Sequence, residues 1–569
     1  MELVGIGGRK PWAFLDEYRG KFFQSQWPSL TELFTITCNR YGDSPCFTVY
    51  EPDRISLTYN ESMAKVKAVA RWLHSKGIRK GDKVALTGKN SPEWAVSYLG
   101  ILFSGAVVVP LDYQLKNEEI HLLLKTSHAR ILFVDEEKYD HFAGAELETI
   151  ISLKKGIGTY VYDLDGPEAE IEAAASEDLA AILFTSGTMG NPKGVMLTHE
   201  NFVSDCFLAQ GNLDIYHTDI FYALLPIHHS YCMLAVFIET ISVGAEVVFG
   251  KRMVTKAILK DLKEAKITML LAVPLLFNKV LSSIIKGIKE KGPVVYGLIS
   301  FLMALSGCIK KVFKVNPGKK MFGFILDKAS FRTIRNCICG GGPLAPSVFR
   351  KYNQLGIDFV QGYGLTETSP IITLNPVEHY KETSVGKVLA RTDMKILNPD
   401  ERGVGEVIVK GPMVTKGYFE LPQETAEAFT EDGYLKTGDL GYLDSENYLY
   451  LTGRAKNMIV TEGGKNVYPE EIENEFQLFE EIEQILIRGY TAGKKESAEH
   501  IEAVVYPSQD FAWAEGGSKA DAKLIKERIE SIVSEVNQRL LPYQRIERTT
   551  ILDAPMEMTT TKKIKRRVV

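Results

Sequence analysis

Two hydrophobic periods alternate along residues 65–134. In AKVKAVARWLHSKG the apolar positions recur at helical spacing and Gly77 supplies a stop, which predicts an amphipathic helix. Behind Gly81-Asp82, KVALTG is an apolar run of strand length. YLGILFSGAVVVPLD and ARILFVD repeat the order helix then strand, and the rhythm returns over 220–280 and 330–362. Short Val/Ile/Leu runs between helices are what parallel sheets covered on both faces require. After about 385 the texture changes. GEVIVKG and GYLDSENYLYLTG are strands punctuated by glycine, which predicts a small β unit over about 385–453. From 457 to 569 the pattern predicts a compact α+β unit with helices at 468–478 and 520–540. The fold class is therefore α/β: a large N-terminal domain (1–453) of mostly parallel sheets covered by helices plus the small β unit, then a smaller C-terminal domain.

Composition adds little to this picture. At 569 residues the chain exceeds one core and suggests three or four structural units. With 45% hydrophobic and 24% charged residues and a net charge of -5, nothing points to nucleic acid. The seven cysteines are scattered; only Cys337 and Cys339 are close, and one intervening residue suits neither a CxxC redox motif nor a zinc site. Reduced thiols in a cytoplasmic protein are the expectation. Arg9, Lys10, Asp16, Glu17 and Arg19 leave no room for the apolar core of a signal peptide.

Candidate chemistry starts at 182–201, ILFTSGTMGNPKGVMLTHEN. Thr185, Ser186, Gly187 and Thr188, followed by Gly190 and Lys193, have the look of a phosphate cradle. A nucleotide P-loop, however, needs a second glycine and then Lys-Ser/Thr. Counted from Gly187, those positions hold Pro192, Lys193 and Gly194, so the hydroxyl that would hold magnesium is missing. The metal ligand must come from elsewhere.

Five further stretches follow: CGGGPLAP (339–346), QGYGLTET (361–368), YLKTGDLG (434–441), TGRAKNMIVTEGGKNVYPEEIE (452–473) and TTTKKIKRR (559–567). In this order and spacing, across essentially the whole chain, they resemble the AMP-forming adenylate enzymes: acyl-CoA synthetases, adenylation domains and luciferases. The resemblance implies that a carboxylate attacks the α-phosphorus of ATP, magnesium pyrophosphate leaves, and a thiol then takes the acyl group. It implies that the 185–194 loop holds the leaving phosphates, with Lys193 as a point charge, and that Glu367 is the magnesium ligand. Thr366 would meet the α-phosphate, and Gln361, Gly362, Tyr363, Gly364, Gly341 and Gly342 would surround the nucleotide. Asp439 would accept both ribose hydroxyls, supported by Arg454. Residues 454–456 would form the hinge to a mobile C-terminal domain (457–569), with Lys456 at its turning point. Gly463 and Gly464 would border the coenzyme A channel. Lys563 would bridge carboxylate and α-phosphate during attack. Lys562 stands where the family usually has glycine, so two adjacent lysines compete for that role.

The acid is addressed by LPIHHSY (225–231). His229 and Tyr231 fall where the family borders its acyl pocket, although a histidine satisfied in the core reads the same way. No residue from 225 to 238 is acidic, which argues against an amino-acid substrate. Residues 292–309 carry no charge, yet 282–335 holds eleven Lys/Arg against two Asp/Glu. A span would put a bilayer between the phosphate loop and Glu367. An interfacial helix on anionic lipid fits better, with a buried helix as the other reading, and Gly297, Ser300, Ala304 and Gly307 leaving the bulky face opposite. Together with the TEGGKNVYPEEIE wording, this resembles the long-chain fatty acyl-CoA synthetases: ATP, Mg2+ and coenzyme A as cofactors, and a cytoplasmic protein peripheral on a membrane. An acyl-carrier-protein ligase and a non-catalytic lipid-binding protein are the alternatives.

Overall fold

The computed structural model describes residues 10–142, 147–185, 192–251, 254–461, 465–491, 500–514, 518–519, 522–559 and 564–566. Two large sheets carry the N-terminal part. The six-stranded sheet runs Thr149–Ser152, Ile131–Val134, Lys83–Thr87, Val107–Leu111, Leu179–Thr185, Lys193–Thr198, and only the last strand is antiparallel. In the nine-stranded sheet a parallel core links Asp358–Tyr363, Asn336–Cys339, Met269–Ala272, Ile220–Ala223, Glu246–Phe249 and Pro45–Val49. Antiparallel strands close both of its edges. This is the sheet architecture that the helix–strand rhythm predicts.

Local chemistry explains the elements. The helix Tyr59–Ser75 opens on a capping box: the Glu61 backbone N–H donates to Thr58 Oγ1 at 3.2 Å, and the Thr58 N–H donates to Glu61 Oε2 at 2.8 Å. It buries Met63, Val66, Val69, Ala70 and Leu73, one face at helical spacing. Between the sheets lies the apolar helix Ser230–Val243. Its Phe237 is fully buried, edge-on to Trp94 (6.1 Å) and Tyr98 (5.5 Å) and 5.9 Å from Phe47. Truncating such a ring to alanine costs about 3–5 kcal/mol.

A four-stranded antiparallel sheet follows over Asp393–Leu397, Gly405–Lys410, Leu435–Leu443 and Leu449–Arg454. It starts later than 385, because Lys387–Val388 pairs with the edge of the nine-stranded sheet. The C-terminal unit packs helix Ala522–Asn537, through Ile525, Ile529, Ile532, Val533 and Val536, on the strands Ile482–Tyr490, His500–Pro507 and Arg548–Ile551. The expected helix at 468–478 is shorter, Pro469–Asn474. Gln477 ties this unit to the glycine triplet: its Oε1 accepts from the Ala345 N–H at 2.8 Å and its Nε2 donates to the Pro343 carbonyl at 3.0 Å.

Helix Pro293–Phe313 lies on the surface, with 17% of its most apolar window buried. Its packed side carries Met303, Ser306 and Lys310, and Gly307 sits against Gln354. The bulky residues do not all lie opposite the small ones, as the spacing leads one to expect. Gly297 and Ala304 are exposed together with Val294, Leu298, Phe301 and Leu305, because the ion pair from Lys310 to Asp358 (2.6 Å) sets which side turns inward.

Candidate active site

The parallel strands end on one side of the nine-stranded sheet, and the loops after Ala272, Cys339 and Tyr363 line one cleft there, the usual ligand side of such sheets. Two glycines matter for this shape. Gly341 adopts φ +80°, and a Cβ at Gly364 would lie 1.5 Å from the Pro370 carbonyl oxygen.

At one end of the cleft, Thr185 and Lys193 face each other across the strand pair. Ser186, Gly187 and Thr188 lie outside the described residues. The segment 415–419 is zipped onto Lys193–Thr198: Phe419 N–H donates to Gly194 O at 2.7 Å, and Met196 N–H donates to Gly417 O at 3.0 Å. That pairing delivers Tyr418, whose ring centroid is 4.8 Å from the Lys193 ammonium and whose hydroxyl donates to Glu367 Oε1 at 3.0 Å. Burial, and then the neighbouring Glu367, push the Tyr418 hydroxyl well above the ordinary tyrosine pKa, so it stays a donor. Thr366 Oγ1 lies 3.1 Å from Ser230 Oγ. A carboxylate among hydroxyls is an oxygen donor set, the kind magnesium prefers.

At the other end, Asp439 and Arg454 are cross-strand partners. Arg454 Nε lies 2.9 Å from Asp439 Oδ1, and the Tyr363 hydroxyl donates to Asp439 Oδ2 at 2.6 Å. Asp439 is nearly buried, so its two oxygens are fixed in direction before any ligand arrives. Lys456 follows in the turn Ala455–Asn457 at the cavity rim.

On another wall of the cleft, the Tyr231 hydroxyl donates to Ile338 O at 2.9 Å, and a Cβ on Gly340 would meet its ring at 3.0 Å. His228 Nε2 and His229 Nε2 lie 3.4 and 3.9 Å from the Asp112 carboxylate. One ligand atom from each of these three residues falls within 4.8 Å of the others. Two imidazoles suit a transition metal better than magnesium. Leu213, Leu225, Leu271, Ile371 and Leu374 wall the pocket further in, and the buried acid Glu239 lines it beside them. Burial raises Glu239 to about 8, against hydrogen bonds from Gln210 and Cys206.

A single cavity of about 3230 Å³ joins these groups. Thr185, Lys193, His229, Tyr231, Gly341, Gly342, Gln361, Gly362, Tyr363, Gly364, Thr366, Glu367, Asp439, Arg454 and Lys456 all line it. The C-terminal unit contributes Glu470, Glu473, Asn474, Ile564, Lys565 and Arg566. Gly463, Gly464, Lys562 and Lys563 lie outside the described residues. Arg566 reaches both carboxylate oxygens of Glu473 (2.9 and 2.7 Å) and Ile487 O (2.9 Å). Sequence reasoning missed Asp112, Ser230, Tyr418, Glu239 and this anchoring role of Arg566. Of these, only Tyr418 carried a signal, an aromatic after Lys416-Gly417.

A protein-family profile described as AMP-binding enzyme matches residues 34–419. A long-chain-fatty-acid–CoA ligase, FadD15 of Mycobacterium bovis, is 29% identical over 93% of this chain and 93% of its own length. A feruloyl-CoA synthase of an Amycolatopsis species is 28% identical over 78% of this chain and 83% of its own. The crystal structure of the anthranilate CoA ligase AuaEII with anthranoyl-AMP superposes with a TM-score of 0.77 at 19% identity, covering 95% of this chain and 96% of that one.

Proposed function

The chain belongs to the AMP-binding enzyme family, and from that premise we propose that it is an ATP-dependent acyl-CoA ligase acting on long-chain fatty acids. The observation that carries this reading is the shared cavity. It runs from the Lys193–Tyr418–Glu367 cluster and the Asp439–Arg454 pair into a pocket walled by Leu213, Leu225, Leu271 and Leu374.

In the first half-reaction a carboxylate oxygen of the acid bonds to the α-phosphorus of ATP and the bond from that phosphorus to the bridging oxygen breaks, releasing pyrophosphate. Asp439 and Arg454 hold the ribose, Gln361, Tyr363 and the glycines at 341, 342, 362 and 364 receive the base, and Thr366 orients the α-phosphate. Lys193 and Thr185, with Ser186, Gly187 and Thr188, retain the departing phosphates by fixed charge and dipoles. Glu367 would hold Mg2+, which supplies positive charge to the phosphate oxygens. His229 and Tyr231 close the pocket over the acid. In the second half-reaction the coenzyme A thiol attacks the acyl carbonyl and AMP leaves. Lys563 serves the first step, and rotation about Lys456 brings Gly463 and Gly464 to the second.

The same reading gives the chain a place on membranes from the cytoplasmic side. Ten of the nineteen exposed large apolar side chains among the described residues fall between Val294 and Phe324. Lys310, Lys319 and Arg335 turn inward onto protein acceptors, which leaves eight of the eleven local cations exposed beside that apolar face. Lys310 pins the helix to Asp358, so it lies along a surface rather than across a bilayer.

Pyrophosphate release from ATP with acids of two to twenty carbons and a hydroxycinnamic acid, with and without coenzyme A, tests the reading. Fourteen- to eighteen-carbon acids should turn over best and consume free coenzyme A. Preference for the aromatic or short acids, or turnover that ignores coenzyme A, would overturn it.

A further inference from the structure

Along helix Ser230–Val243 the residues Tyr231, Ala235 and Glu239, spaced four apart, all line the cavity. Eight residues, six of them in a π-helical stretch that rises less per residue than an α-helix, put Glu239 about 10 Å from Tyr231 along the helix, past leucines that offer no hydrogen bond. The turn between them, Met233–Ile238, is π-helical, a form that occurs mostly as single turns at functional sites.

Glu239 is 3% exposed, and its hydrogen bonds converge on one oxygen. Gln210 Nε2 donates to Oε2 at 2.6 Å and Cys206 Sγ donates to the same Oε2 at 3.3 Å. Gln210 is itself held by Ser242 Oγ at 2.8 Å. No described residue donates to Oε1. One edge of the carboxyl is therefore clamped by the protein while the group lines a cavity built for an acyl chain. A plain alkyl chain drawn past it would strip Oε1 of water and offer nothing in return. A hydroxyl at that depth would pair with it.

We propose that Glu239 is a specificity-determining residue that recognises a hydroxyl on the acyl chain, so that the preferred acid is a hydroxylated fatty acid. This rests on the fatty-acid reading of the pocket. Counted from Tyr231, about 10 Å corresponds to about eight bonds of an extended chain, so the hydroxyl belongs near the middle of the chain. An α-amino acid is a poor match, because its ammonium stays next to the reacting carboxylate. Burial keeps Glu239 largely uncharged at neutral pH, able to donate as well as accept.

The test compares hexadecanoate with 3-, 10-, 12- and 16-hydroxyhexadecanoate and 10- and 12-aminohexadecanoate, in coenzyme A-dependent pyrophosphate release by the full chain. The 10- or 12-hydroxy acid should exceed hexadecanoate in kcat/KM by about ten- to a hundredfold, the range set by pairing one buried polar atom. Glu239→Leu should reduce that ratio to about one, whatever its effect on the absolute rates, and Glu239→Gln, which keeps a donor and an acceptor, should retain part of it. A wild-type enzyme that never favours a hydroxy acid, or a preference that survives Glu239→Leu, sinks the proposal, as does an amino acid outperforming its hydroxy counterpart. Should Glu239→Leu not fold, the wild-type panel decides alone. No pyrophosphate with any long-chain acid is a different failure: it removes the fatty-acid reading itself.

Discussion

Tyr418→Phe isolates one hydroxyl. The ring stays, and with it the contact of 4.8 Å to the Lys193 ammonium; only the hydrogen bond of 3.0 Å to Glu367 Oε1 is lost. A hydrogen bond to a charged group contributes about 1.5–3 kcal/mol. Tyr418 is partly solvated, so the lower part of that range applies, about 1.5–2 kcal/mol, or roughly ten- to thirtyfold. If Glu367 holds Mg2+, freeing its carboxylate should weaken metal binding rather than abolish chemistry. ATP–pyrophosphate exchange measured against Mg2+ concentration should show a higher metal requirement, with most of the loss recovered at saturating Mg2+ and an unchanged thermal midpoint. The effect should hold from pH 6 to 9, because burial and Glu367 keep the Tyr418 hydroxyl protonated throughout. Glu367→Gln, by contrast, should lose several kcal/mol at every metal concentration. A Tyr418→Phe enzyme with a wild-type Mg2+ profile would refute the link from Tyr418 to the metal ligand.

The remaining predictions concern other parts of the molecule. Lys563→Ala should lose acyl-AMP formation yet still convert supplied acyl-AMP and coenzyme A to thioester; equal loss of both steps in a folded variant contradicts the two-pose assignment, and the same phenotype from Lys562→Ala shifts the role by one residue. Sedimentation with anionic vesicles should fall as salt rises, since the Debye length shrinks to about 3 Å at 1 M, and should drop when Leu298, Phe301 and Leu305 become serine; binding indifferent to both argues against the interfacial face. Burial would raise Glu502, but hydrogen bonds from Arg548, Thr550 and Arg488 outweigh it and pull the group down to about 2. Its ionised form therefore supports the C-terminal unit above about pH 4.5 and loses that support as pH falls toward 2. Acid unfolding followed by circular dichroism should show a shallower pH dependence in Glu502→Gln, and an unchanged slope would dismiss the group as a contributor.

The sheets were legible in the sequence because parallel strands covered on both faces leave continuous Val/Ile/Leu runs that little else produces. Much of the site was legible too, since glycines at close approaches and Thr-Glu or Thr-Gly-Asp turns are local signals. Tyr418 carried only the faint signal of an aromatic after Lys416-Gly417, because its place depends on a strand pairing that brings 415–419 across Lys193–Thr198. Glu239 escaped for a narrower reason. The absence of acids from 225 to 238 argues against an amino-acid substrate, but that window stops one residue short of Glu239, which lines the same cavity. The surface helix shows the opposite case: its apolarity was plain, whereas its orientation depended on Lys310 finding Asp358, forty-eight positions away.

Helix Pro293–Phe313 also carries an experimental handle. All seven cysteines are free, and Cys308 alone is exposed. Burial pushes the thiols of the other six upward, Cys38 to about 12, so they resist alkylation while the fold is intact. A maleimide added to the unmodified protein should therefore mark one position, one turn beyond Ala304 on the face that also shows Phe301 and Leu305. A polarity-sensitive dye or a nitroxide placed there would report immersion depth directly, without engineering a cysteine-free background.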